Sequence, residues 1–200
     1  MELISWGLYA SAISFVVVMV WLIYMGAFHI LKSETVEIDE QYVILKTFRG
    51  TYSNMQKASD ILDTLLITNY GFSLYNSHTL VFYHEDPGST SDNNLTWSMG
   101  VVVDKDIYEK QLNTDELQYI RLPKSRILRL SFKYINEGSY IIGAKKCFRK
   151  LCQIIQDKNI VLTIPPIESH DLQFDKDFIR YYVYLDRTQV DFQLNKCIQL

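Results

Sequence analysis

The chain has 200 residues, 48% of them hydrophobic and 14% aromatic, and a net charge of −3. That mildly acidic balance argues against nucleic acid as the main partner, because duplex binding rests on a dense basic footprint. No low-complexity or long charged run is present, which excludes extended disorder.

The first element in chain order is the run from Leu3 to Ile30, "LISWGLYASAISFVVVMVWLIYMGAFHI", which contains no Asp, Glu, Lys or Arg. It exceeds the ~20 residues needed to span a bilayer core. Trp6 and Tyr9 lie near one end and Trp21 and Tyr24 near the other, as rings at the two headgroup levels would. A cleaved signal peptide would have a basic start, a shorter apolar stretch and a small-x-small exit. Residues 3–31 are therefore expected to form a single-pass transmembrane signal anchor. Lys32, Lys46 and Arg49 follow it and no basic residue precedes it, which predicts a cytosolic domain. The sequon Asn94-Leu95-Thr96 would matter only on a lumenal domain. Gly7 and Ser11 make a small-xxx-small pair, which ordinary helix composition explains.

Residues 36–187 are expected to form one domain built twice over. In repeat one, residues 42–104, "YVILKTF" reads as a strand. The following segment predicts a helix with Met55, Ala58, Ile61, Leu62, Leu65 and Leu66 on one stripe. Ser53 and Gln56 form a capping-box pattern, and Asn69-Tyr70-Gly71 a stop. A hairpin follows, Thr79–His84 and Thr96–Asp104, turning around Asp86-Pro87-Gly88. Residues 105–125 read as a linker with one short helical turn. Repeat two, residues 126–185, has a strand (Ile127–Tyr134) and a helix (Ser139–Gln156) with Ile141, Ala144, Phe148, Leu151 and Ile155 on one side. Its hairpin is expected at Asp171–Phe174 and Phe178–Leu185. Residues 188–200 remain as a short tail. The fold class is thus α+β, a duplicated β-α-β-β domain of pseudo-two-fold symmetry after one N-terminal transmembrane helix. Both helices would cover one sheet face, leaving the other as a groove.

The duplicated β-α-β-β order, with Tyr83 to Pro87 before the "GVVVD" strand, resembles the GyrI-like small-molecule-binding domain. Closer still is the resemblance to the testis-expressed ER-phagy receptor family, which joins a signal anchor to this domain. It runs through "GAFHILKSETVEI", "KTFRGTYSNMQKASDIL", "LPKSRILRLSFKY" and "LCQIIQDKNI". The resemblance implies the endoplasmic reticulum as the membrane and autophagy or unfoldase adaptors as possible partners. That family has a long acidic tail with an aromatic-x-x-aliphatic motif. Here the matching Tyr182-Val183-Tyr184-Leu185 falls in an expected core strand, unavailable for strand addition.

Alternation predicts which side chains line the groove. With Leu128, Leu130 and Phe132 turned to the helices, Arg129, Ser131 and Lys133 face away. Arg180, Tyr182 and Tyr184 form another row, and Trp97 and Met99 share a face with Tyr83. Tyr83, Trp97, Met99, Arg129, Arg180, Tyr182 and Tyr184 are therefore the candidate ligand-binding residues, though each also fits core packing or solvated surface. GyrI-like drug sensors bind cations with a buried Glu on the second hairpin. Leu172 and Gln173 occupy the corresponding positions here, so the ligand is expected to be neutral or anionic.

Other chemistry has weaker support. His29, His78, His84 and His170 lack metal-ligand spacing and read as exposed or capping residues. The cysteines, Cys147, Cys152 and Cys197, have no CxxC pair and read as buried reduced thiols. Glu85 and Asp86 belong to a turn. Lys145, Lys146, Arg149 and Lys150 share one helix side and suit either solvent or anionic lipid. No cofactor, metal or catalytic residue is expected. The first reading is a membrane-anchored module binding a small molecule or a partner protein without catalysis. An adaptor in membrane turnover is the second and a GyrI-like hydrolase the third.

Overall fold

The computed structural model describes residues 2–26, 28, 30–85, 94–111, 116–136, 138–171, 175–186, 190, 192 and 198–199. Of these, the side chains of 2–8, 10, 176, 198 and 199 lie outside the description. The predicted turn at Asp86-Pro87-Gly88, His29, Cys197 and both Leu172 and Gln173 fall outside the described residues.

A helix, α1, runs Glu2–Tyr24 and ends at Gly26, whose φ of 74° suits the left-handed region a helix stop uses. Phe15, Val16, Val17 and Val18 are all exposed, and successive helix positions step about 100° around the axis. Apolar side chains therefore surround the helix over that turn. Among the described residues no helix is long and apolar enough to cross a membrane, so the expected span over residues 3–31 is not shown.

The rest is one sheet, antiparallel along its main path, with helices on one face. Its strands are β1 (Ser33–Ile38), β2 (Gln41–Arg49), β3 (His78–Tyr83), β4 (Thr96–Val103) and β5 (Gln118–Leu122). They continue with β6 (Ser125–Lys133), β7 (Ile167–Asp171), β8 (Asp175–Tyr184) and β9 (Ile198–Gln199). The helices are α2 (Met55–Tyr70), the short α3 (Lys105–Glu109) and α4 (Gly138–Asp157). The order β1-β6-β8-β7-β3-β4-β2-β5 maps onto itself when the two halves are exchanged, so the expected duplication is present. β9 lies parallel to β2.

Three expectations need correction. The linker of residues 105–125 carries α3 and β5, and β1 starts the domain at Ser33; each extra strand pairs with the outer edge of the opposite half. The capping box does not form: Thr51 caps a 3-10 turn at Tyr52–Asn54, while Gln56 reaches Asp60 and Tyr75. In α4 the buried stripe is Gly143, Cys147, Leu151 and Ile154, and Ile141 is exposed. α2 keeps its predicted face, with Ala58, Leu62 and Leu66 buried.

Both sheet faces are cored. Under α2 lie Ile44, Phe48, Val81, Trp97 and Met99, and under α4 Leu128, Leu130, Phe132, Ile179 and Tyr181. The opposite face is not the open groove expected: Leu80, Phe82, Ile127, Ile167, Tyr182 and Tyr184 form a third cluster with Ile164, and Val190 and Phe192 pack against it. Alternation explains the division, since each strand supplies apolar side chains to both sides.

Gly100 shows how tightly the centre is set. A Cβ there would stand 2.6 Å from Leu45 Cβ and 2.7 Å from the Ile44 carbonyl oxygen. Backbone cannot rotate away as a side chain can. Gly100→Ala is expected to lower unfolding free energy by about 1–3 kcal/mol, measured by chemical unfolding followed by circular dichroism.

Candidate functional site

The two halves meet where β3 pairs with β7, and β7 pairs in turn with β8. Pairing sets Glu168 opposite Val81 on one side and Tyr181 on the other. Its side chain points to the helix-covered face and is 5% exposed. Tyr83 donates its O–H to Glu168 Oε2 at 2.8 Å. Tyr181, whose hydroxyl has no partner of full hydrogen-bond geometry, acts on the same carboxyl from β8.

Aromatic rings surround this pair. Phe148 of α4 packs edge-on against Tyr83 at 4.6 Å and against Tyr181 at 5.3 Å. Tyr52 meets Tyr83 at 5.2 Å and Trp97 at 6.2 Å. Each such contact adds about 0.5–1.5 kcal/mol beyond burial.

Burial in this apolar setting pushes the Glu168 carboxyl up to about 7, against partial relief from the Tyr83 and Tyr181 hydroxyls. Among the described residues no basic group offsets it. The Cys147 thiol nearby is pushed up to about 12, first by burial and then by Glu168, so it stays protonated at neutral pH. Burial of a carboxyl among aromatic rings disfavours its charged form unless an opposite charge shares the site.

Sequence reading did not single out Glu168, yet it is the buried acid of the second hairpin, on β7. The expectation of a neutral or anionic ligand rested on Leu172 and Gln173 standing at the acid's position, and those residues lie outside the described ones. "IESHD" carries one apolar residue and gives little strand signal; its strand starts at Ile167, four residues before the expected Asp171, and its partner at Asp175, three before the expected Phe178. Transferring the spacing between Tyr70 and His78 to the second half would have put a strand near Ile167.

The seven candidate residues do not form one wall. Tyr83, Trp97 and Met99 do share a face, but it is the helix-covered one, and Trp97 and Met99 are core under α2. Tyr182 and Tyr184 belong to the cluster on the opposite face. Arg129 there pairs with Glu34 of β1 at 2.9 Å, and Arg180 pairs with Asp175. Burial lowers the Arg180 guanidinium from its usual range. Only Tyr83 touches Glu168.

The described histidines, His78, His84 and His170, are built in rather than exposed. Nε2 of His78 hydrogen-bonds Ser169 at 2.8 Å, His84 Nε2 bonds Ser98 at 2.7 Å, and Tyr140 bonds His170 Nδ1 at 2.6 Å. Burial alone pushes His84 down to about 4. Among the described residues no cluster suits a metal ion. Cys152 is exposed, not buried. Tyr182, Val183 and Tyr184 are buried in β8 between β6 and β7, so this stretch cannot serve as a docking motif. Glu85 accepts the Thr96 N–H at 2.7 Å, in keeping with a structural turn role.

No protein-family model and no curated protein sequence matches the chain. Solved structures do match. The cryo-EM structure of the EcmrR–DNA complex has TM-score 0.56 at 17% identity, covering 91% of this chain and 68% of that one. The crystal structure of the EcmrR C-terminal domain has TM-score 0.55 at 17% identity, covering 81% of this chain and 98% of that one. These likenesses establish the fold, a mixed α+β domain consistent with the GyrI-like fold expected above. SAV2435 bound to tetraphenylphosphonium reaches TM-score 0.45 at 10% identity over 78% of this chain and 94% of that one, too low to carry an argument. Nothing found supports the ER-phagy receptor family.

The Glu168 carboxyl titrates near 4.5 in an unfolded chain and about 7 in the fold. Between those values the folded state keeps a proton the unfolded chain has released, so stability falls as pH rises through the window, by up to about 3 kcal/mol. Glu168→Gln should abolish that fall, the two proteins being close at pH 4 and the variant more stable at pH 8. His84 acts oppositely, adding stability as pH rises from about 4 to 6.5, but equally in both proteins. Denaturant midpoints against pH, wild type minus variant, isolate Glu168.

Proposed function

We propose that the chain is a non-catalytic small-molecule receptor whose helix-side site takes an aromatic or apolar organic cation, with Glu168 as counter-charge. One observation carries this reading: a buried carboxyl ringed by Tyr83, Phe148 and Tyr181 with no basic group offsetting it among the described residues. Burying such a group is costly unless a cation arrives to share the site. The EcmrR likeness supports the scaffold and is silent on the ligand. Binding is favoured over catalysis because Cys147, a nucleophile type within electrostatic reach of the acid, is held as a thiol.

Tetraphenylphosphonium is a suitable probe, titrated calorimetrically into the full chain. Wild type should bind it, and Glu168→Gln should weaken binding by about tenfold or more. The affinity should drop as pH falls below 7, while neutral triphenylphosphine oxide should not distinguish the proteins. Equal binding of the cation by both would end this reading.

We also propose that α1 anchors the chain to a membrane, that of the endoplasmic reticulum by the resemblance above, with the domain on the cytosolic side. Its support is the apolar surround of Phe15, Val16, Val17 and Val18, whose exposure to water is unfavourable by about 25 cal/mol per Å². The expected outcome is that the full chain floats with vesicles after alkaline extraction and that Val17→Arg releases it. Asn94 should stay unglycosylated in cells.

A further inference from the structure

The site beside Glu168 has a roof with a second duty. α4 lies against the sheet with almost no clearance: a Cβ at Gly143 would stand 2.9 Å from Phe132 Cδ1 and 3.0 Å from the Tyr181 hydroxyl oxygen. One turn further along, Phe148 fills the space between Tyr83 and Tyr181. An aromatic ring is about as thick as a van der Waals contact is long, so none fits beneath a helix already touching its floor. Turning Phe148 aside would free its own volume but not the Gly143 contact.

The same helix holds the end of α1. Lys146 donates from Nζ to the Gly26 carbonyl at 3.1 Å. Met25, fully buried, has its Cε 2.9 Å from where a Gly138 Cβ would lie. Gly138, Gly143, Lys146 and Phe148 thus put both contacts within about three turns of one rigid element.

We infer that α4 couples the site to the N-terminal helix: admitting a cation beside Glu168 lifts α4 from the sheet and loosens its grip on Met25 and Gly26. This rests on the receptor reading for the ligand, but the mechanical link stands on packing alone. The described state is the closed one, with Phe148 in the ligand's place. Because coupling is reciprocal, loosening the α1 contact must ease ligand entry by the same factor.

The test uses the full chain, with amide hydrogen exchange of the peptide covering residues 21–31 as readout. Gly143→Ala pushes α4 outward without any ligand and should speed exchange there several-fold; tetraphenylphosphonium on wild type should do the same. Lys146→Met, which removes the bond to Gly26, should raise affinity for that cation several-fold, and Phe148→Ala should raise it further by vacating the berth. Unchanged exchange in Gly143→Ala, or affinity in Lys146→Met equal to wild type while the cation binds, overturns the coupling and leaves the receptor reading intact. If neither wild type nor Phe148→Ala takes up the cation, the receptor reading fails, and faster exchange in Gly143→Ala then upholds the mechanical link alone.

Discussion

The hydrogen bond from Tyr83 to Glu168 crosses the seam between two halves of a duplicated fold. Neither half can form it alone, since β3 belongs to the first and β7 to the second. The seam is a run of backbone ladder bonds, and it brings a carboxyl into an interior it would otherwise avoid. Ladder pairing fixes position to within a residue, because a one-residue slip would turn Glu168 to the opposite face. That register is what sets the carboxyl within reach of the Tyr83 hydroxyl.

Around the seam the molecule spends its small residues on close approach. Gly100 lets β2 and β4 meet at the centre, and Gly143 lets α4 lie directly on Phe132 and Tyr181. Close packing of this kind transmits displacement rather than absorbing it, because interiors have little free volume to give. The covered second face works in the same sense. Phe82, Ile164, Ile167, Tyr182 and Tyr184 form a buried cluster there, with Val190 and Phe192 packed against it.

Much of the scaffold was legible from residue pattern. The α2 stripe of Ala58, Leu62 and Leu66, the Gly71 stop and the alternating Leu128-Leu130-Phe132 row each depend on neighbours a few positions away. β1 and β5 were not, because "SETVEI" and "QYIRL" are short edge strands whose partners lie in the opposite half. The candidate wall of Trp97, Met99, Arg129, Arg180, Tyr182 and Tyr184 divided between two faces for a related reason: alternation within a strand gives relative, not absolute, direction.

The amino-acid order by itself determined the apolar N-terminal helix, the duplication and the helix-on-sheet class, since these follow from local periodicity and its recurrence. Tertiary structure alone decided that Glu168 is buried, that Tyr83 reaches it and that α4 both covers the site and holds Gly26. A carboxyl's burial depends on groups 85 residues distant in the chain, as the Tyr83–Glu168 pair is. Desolvation is set by what surrounds a group in space, and no short window of sequence contains that.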